Sequence, residues 1–203
     1  MRTTHCLPGL LGMVMAACFL AAPGWAQSTP GNGAAAAPGA SRGAAPAAKP
    51  ESPQQLMAKR AGEYTRAVQF LNAAGPQGAP FAGTSKVSVI LDGHFLLEEN
   101  SDEVFGKPVH AMRVYGYNNA TQLYEAAWMY TMSPAILMLT GTSSDGGKTV
   151  DYTGESATAR GEPLKLHAHF RQVDDDQFVI TMTNVNAAGK EIPFQETTYK
   201  RKK

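Results

Sequence analysis

Gly116-Tyr117-Asn118-Asn119-Ala120-Thr121-Gln122-Leu123-Tyr124-Glu125-Ala126-Ala127-Trp128 reads as the end of one β-strand, a tight polar turn and an aromatic strand running back. Asn suits such a turn because its side chain bonds the local backbone and it tolerates left-handed torsions. Tyr115 and Tyr117 before the turn, and Tyr124, Ala126 and Trp128 after it, recur at every second residue, the period of a strand with one buried face. Pairing Tyr117 with Gln122 across Asn118–Thr121 sets Tyr115 against Tyr124, Arg113 against Ala126, Ala111 against Trp128 and Val109 against Tyr130. The opposite face carries His110, Met112, Val114 and Gly116 with Leu123, Glu125, Ala127 and Met129. Rings facing alanines fill the taper of a small barrel, so the aromatic face is expected to point inward.

The same period extends outward from this hairpin. Val87, Val89 and Leu91 alternate with Lys86, Ser88 and Asp92, and Asp92-Gly93 is a turn signal. Further strands are expected at 94–103, 109–117, 122–131, 135–143, 149–155, 164–173, 177–185 and 191–201. Glu63 to Leu71 is read as a first strand in preference to a helical continuation, and Gly75 to Gly83 as a Gly/Pro loop. Ser52 to Ala61 predicts a short helix, with Ser52 as N-cap, Pro53 at the first position and Gly62 ending it. Connections this short join antiparallel neighbours, since a parallel crossover needs a dozen or more residues. Nine or ten sequential strands leave bare edges unless the sheet closes, so the expected fold is all-β. It is a closed antiparallel up-and-down barrel; a two-sheet sandwich is the alternative.

The N-terminus has the layout of an export leader. Arg2 precedes an apolar run from Cys6 to Ala22, and Pro23-Gly24-Trp25-Ala26 offers small residues for cleavage after Ala26. The run is broken by Pro8, Gly9 and Gly12 and falls short of the about 20 residues a spanning helix needs. Residues 1–26 are therefore expected to be a signal peptide, leaving a periplasmic or secreted protein with no transmembrane span. Met15-Ala16-Ala17-Cys18 gives a second reading, a lipoprotein box in which Cys18 is lipidated and anchors the chain. Both cysteines, Cys6 and Cys18, lie in the leader, so cleavage after Ala26 leaves no disulfide or thiolate chemistry. Residues 27–52 are Ala, Pro, Gly and Ser, a disordered linker by composition, and 53–203 is one domain. Formal net charge is +1, and the basic Lys200-Arg201-Lys202-Lys203 is terminal, so nucleic acid is not an expected partner.

Gly93-His94-Phe95-Leu96, Gly106-Lys107-Pro108, Gly116 to Thr121, Tyr124 and Trp128 form a recognisable series. Leu139-Thr140-Gly141-Thr142, Gly147-Lys148-Thr149, Gly189-Lys190-Glu191, Glu196 and Tyr199-Lys200-Arg201 continue it. Over residues 83–201 the chain resembles the bacterial proteins of domain of unknown function 1579, which implies a calycin-like (lipocalin-like) β-barrel. The resemblance implies no activity. Family members usually carry Asp two residues after the tryptophan, where this chain has Tyr130, and Arg in the Gly-Arg-Phe element, where it has His94.

Arg113, Tyr115, Tyr117, Tyr124, Trp128 and Tyr130 are the candidate ligand-binding residues. They read either as a ring-lined pocket with Arg113 receiving an anionic head group, or as an aromatic plug. His167 and His169 share a face with Lys165 and Arg171, which makes them poor metal ligands, and His94 is read as a structural polar residue. Asp174-Asp175-Asp176 is a hairpin tip, and alternation puts Glu98 and Glu99 on opposite faces, where they cannot form an acid–base pair. No nucleophile triad, phosphate loop or dinucleotide fingerprint occurs, so a non-enzymatic protein without cofactor or metal is expected. Its partner is a small apolar or amphiphilic ligand in the barrel or, alternatively, a protein of the cell envelope docked on a solid-cored module.

Overall fold

The computed structural model describes residues 51–157, 163–186 and 189–203. The expected leader with Cys18, residues 27–50 of the expected linker and Ala187-Ala188, expected in a turn, lie outside them. Helix α1 (Pro53–Ala58) begins with a capping box, in which the Ser52 hydroxyl accepts from Gln55 N and the Gln55 side chain accepts from Ser52 N. It ends three residues before the expected Ala61, where Arg60 N and Ala61 N close tighter turns onto Met57 O and Ala58 O. Gly62 then reverses the chain at φ +153°; a side chain there would collide with the Arg201 guanidinium, which donates to Ala61 O and Lys59 O.

Ten strands follow: β1 (Gly62–Asn72), β2 (Gly75–Ile90), β3 (Phe95–Val104), β4 (Lys107–Asn118) and β5 (Leu123–Tyr130), then β6 (Ser133–Thr142), β7 (Thr149–Ala157), β8 (Pro163–Gln172), β9 (Gln177–Val185) and β10 (Glu191–Arg201). Each pairs antiparallel with its sequence neighbour, and β1 pairs with β10 from Tyr64–Arg201 to Phe70–Gln195, closing the barrel. The expected strands are present, and 62–72 is a strand. Gly75 to Gly83 departs from expectation, since it is the first half of β2. It pairs with β1 across a bulge between Val68 and Phe70, and the Gln69 amide donates to Gln77 O and Gly78 O. Pro76 and Pro80 are tolerated because β3 pairs with β2 only from Gly83 onward.

The deciding hairpin also pairs differently. Tyr117 faces Tyr124, Tyr115 faces Ala126, Arg113 faces Trp128 and Ala111 faces Tyr130. Asn118 stays in the strand, with its Oδ1 accepting from Ala120 N and Thr121 N, and Gln122 closes the turn at φ +59°. The pairing moves by two residues, an even number, so every side chain keeps its face. The rings do point inward: Tyr115, Tyr124 and Trp128 lie in one core cluster with Tyr64, Tyr152, Phe170, Phe178 and Tyr199.

Trp128 is 1% exposed, its ring edge-on to Tyr115 at 6.3 Å between centroids. Trp128→Ala is expected to cost about 3–5 kcal/mol through lost burial and a residual cavity. That is a large share of the roughly 5–15 kcal/mol that holds a domain together. A denaturant titration measures it, and a wild-type midpoint would contradict the inward packing.

Candidate functional site

The inward face of β3 carries Glu98 and Asn100, and Glu98 meets Arg113 and Tyr115 on the neighbouring β4 and Tyr199 on β10. Glu98 Oε1 accepts from Asn100 Nδ2 (2.7 Å), Tyr199 Oη (2.7 Å) and Arg113 Nη1 (3.2 Å), while Oε2 accepts from Tyr115 Oη (2.9 Å). Arg113 also donates to Tyr199 Oη at 2.7 Å, and its guanidinium lies 4.5 Å from the Trp128 ring centroid. Burial alone would raise the Glu98 carboxyl. Arg113, Arg66 and the hydrogen bonds from Tyr199 and Asn100 outweigh it and hold the carboxyl below the usual range. Burial pushes the Tyr199 phenol up to about 12. The site is thus an ionised Glu98–Arg113 pair with neutral phenols as donors.

A second pair, Arg66 with Asp102 at 2.5 Å, is buried nearer the far end from α1. Here burial prevails over the pull of Arg66, and the Asp102 carboxyl is raised. The third interior guanidinium, Arg60, is 6% exposed and lies 4.3 Å from the Phe170 ring centroid. It has no hydrogen bond or ion pair to any described residue. Among the described residues, the interior therefore holds three guanidiniums, Arg60, Arg66 and Arg113, against two carboxylates, Glu98 and Asp102. A cavity of about 10 Å³ lies beside Arg60, bounded by Val87, Leu96, Glu98, Tyr115 and Phe170 among others. It has room for about one water-sized particle.

Four of the six candidate residues, Arg113, Tyr115, Tyr124 and Trp128, come together in the lumen; Tyr117 and Tyr130 sit half-buried at opposite ends. Tyr117 packs edge-on to Tyr124 at 4.9 Å, with its carbonyl accepting from Gln54 of α1. Tyr130 borders an outer groove with Met112 and Met129. The counter-charge that the sequence reserved for a ligand on Arg113 is supplied by Glu98. Arg60 and Arg66 escaped sequence reasoning, and Tyr199 entered it only in the family series, although strand alternation puts it on a buried face with Thr197. His167 and His169 face outward to Glu191 and Asp151, His94 is exposed, and Asp174 Oδ1 caps the hairpin tip through Asp176 N. Glu98 is buried and Glu99 exposed, as alternation requires. Glu125 is on the outer face, where it accepts from Asn118. Among the described residues, no cluster of three His, Cys, Asp or Glu could hold a metal, and no helix is long and apolar enough to cross a membrane.

The sequence matches the family described as "Protein of unknown function (DUF1579)" over residues 49–201. The chain belongs to this family. No curated protein matches it. Among solved structures, the S-type phycobiliprotein lyase CPES from Guillardia theta is similar at 11% identity and TM-score 0.48, over 75% of this chain and 94% of that one. A redesigned β-barrel gives 14% identity and TM-score 0.36, over 71% and 93% of the two chains. A DUF3598-family protein of unknown function from Nostoc punctiforme gives 6% and 0.24, over 75% and 100%.

The outer wall of this DUF1579 barrel carries a second feature. Cross-strand rows Leu97–Val114–Ala127–Met138 and Met112–Met129 make an apolar face over β3–β6, extended by exposed Phe95 and Ile136. Phe95 lies flat over Gly116, where a Cβ would sit 2.8 Å from its ring. Hollows flank the β6 ridge, one of about 640 Å³ beside Met138 and one of about 480 Å³ beside Met112 and Met129.

Removing one member of the central pair tests its importance. Glu98→Gln strands Arg113 and is expected to destabilise by about 3–5 kcal/mol, whereas Glu98→Gln with Arg113→Met recovers much of the loss. Denaturant midpoints of the two single variants and the double give the coupling; strictly additive losses would show that the pair does not act as a unit.

Proposed function

We propose that the protein is an exported barrel that binds a small amphiphilic molecule at the α1 end of its lumen. One observation carries this reading: the interior bears an unneutralised guanidinium, Arg60, next to a cavity under a small cap. Such a charge costs stability unless something pairs with it, and residues that lower stability concentrate at binding sites. The rim supports an apolar tail, because Val89 on the inward-facing side of β2 and Leu91 at its end are 40% and 67% exposed. The cavity is far smaller than the roughly 300 Å³ of an ordinary ligand pocket, so anything larger than a head group requires α1 to move. Helix α1 has six residues; its side-chain bonds to the barrel are those of Gln54 to Tyr117 O (3.3 Å) and Asn119 Oδ1 (3.2 Å), with Met57 buried beneath.

Incubating the protein with an envelope lipid extract, followed by native mass spectrometry, is expected to reveal a retained small molecule. No adduct from the extract would overturn the reading. The intact mass of the exported protein is expected to start at Gln27. A lipidated N-terminal Cys18 would establish the anchored alternative, and an uncleaved leader would remove the export proposal.

The outer face favours a second reading, a solid-cored module that docks another protein of the envelope. Two acidic residues, Glu99 and Glu125, border the apolar rows, a border better suited to a protein surface than to anionic lipid. A second copy of the chain is the first occupant to test, since the β6 ridge and its flanking hollows can interlock about a twofold axis. Concentration-dependent dimerisation in sedimentation, abolished by Met112→Glu or Met138→Glu with the melting temperature unchanged, is the expected outcome. A wild-type monomer throughout the micromolar range would overturn it.

A further inference from the structure

Three guanidiniums are buried in the lumen, and two have carboxylate partners. Arg66 has Asp102, and Arg113 has Glu98. Glu98 is the only acid bounding the cavity beside Arg60, and both its oxygens are already engaged by Asn100, Arg113, Tyr115 and Tyr199. The Tyr152 hydroxyl is also buried and has no hydrogen-bond partner among the described residues. The ring against the charge is Phe170, whose centroid lies 4.3 Å from the guanidinium. An aromatic face softens the cost of burying a cation but does not neutralise it. An anion does, and in a poorly solvated lumen the attraction is far stronger than at the surface.

We propose that the cavity under α1 is a binding site for a small monoanion, a halide or the carboxylate of an amphiphile, with Arg60 as its counter-ion. The inference deepens the small-molecule reading and rests on it for the amphiphile source alone, since a free ion needs no displacement of the helix. Its size fits: the cavity admits one water-sized particle, about the volume of a halide or one carboxylate oxygen. For a carboxylate head, the exposed Val89 and Leu91 give the attached chain an apolar way out.

The test uses the purified protein in halide-free buffer, with ionic strength held by a bulky anion. Chloride, acetate, dodecanoate and dodecan-1-ol are each titrated while thermal melting and calorimetric heats are followed. Chloride or acetate is expected to raise the melting temperature saturably by several degrees. Arg60→Met is expected to weaken anion binding by at least about tenfold, and Arg60→Lys to retain part of it. Without any anion, Arg60→Met is expected to melt no lower than wild type, because it removes a buried unpaired charge; a merely structural arginine would show a loss. Dodecanoate binding at about tenfold lower concentration than acetate identifies the amphiphile as the source, while equal response to chloride, acetate and dodecanoate identifies the free ion. Absence of an anion response in wild type, or an undiminished response in Arg60→Met, overturns the proposal. Should dodecan-1-ol and dodecanoate bind alike to both proteins, the amphiphile reading survives and the anion site falls. Should neither bind while chloride does, the anion site survives and the amphiphile reading falls.

Discussion

The lumen is organised by one carboxylate. Glu98 receives four hydrogen bonds from groups on three strands: Asn100 on β3, Arg113 and Tyr115 on β4, and Tyr199 on β10. Local pairing along the wall sets which strands are neighbours, but it does not set what the barrel contains. The Glu98 cluster does that by fixing the position of Arg113, which in turn lies over Trp128 on β5. Tyr199 stacks on Phe178 at 4.1 Å, and Arg66 lies 5.0 Å from the Tyr199 ring centroid. Charge pairing and ring packing are therefore one structure here. A buried ion pair is weak evidence for stability as such, yet its directional bonds select one arrangement of three strands over its near alternatives.

The wall was largely legible in the sequence and the contents of the lumen were not. Strands with period two, separated by Asp92-Gly93, Phe105-Gly106 and Asn118-Asn119, declare themselves over a few residues, because turn chemistry and alternation are local. The inward direction of the rings followed from the same alternation and was unaffected by a pairing error of two residues. The Gly75–Gly83 segment misled because Gly and Pro there signal a loop, whereas the bulged end of β1 supplies a partner to pair with. Glu98 meets Tyr199 across 101 positions of sequence, and no local pattern encodes that encounter. Arg60 was hidden for a different reason: the sequence put it in the tail of a short helix, where an arginine ordinarily points to water, whereas it lies on the turn after α1.

Arg113 shows how a residue can be placed correctly and still change its meaning. The sequence put it on the inward face beside the rings, and the structure has it there. The anion it was expected to attract is part of the chain itself. The uncommitted cation lies instead on the loop between α1 and β1, at the end of the barrel that the helix covers.

The pairing of β1 with β10 has a consequence for how the molecule comes into being. Its two edges belong to the start and the end of the domain, so closure joins Tyr64 to Arg201 and spans almost the whole folded chain. Until β10 has emerged, β1 and β9 each present a bare edge, and the Glu98 cluster lacks Tyr199. Contacts so distant in sequence form slowly, because a large loop must be closed before they return any stabilisation. The barrel therefore stays open throughout synthesis and shuts only when the last strand arrives.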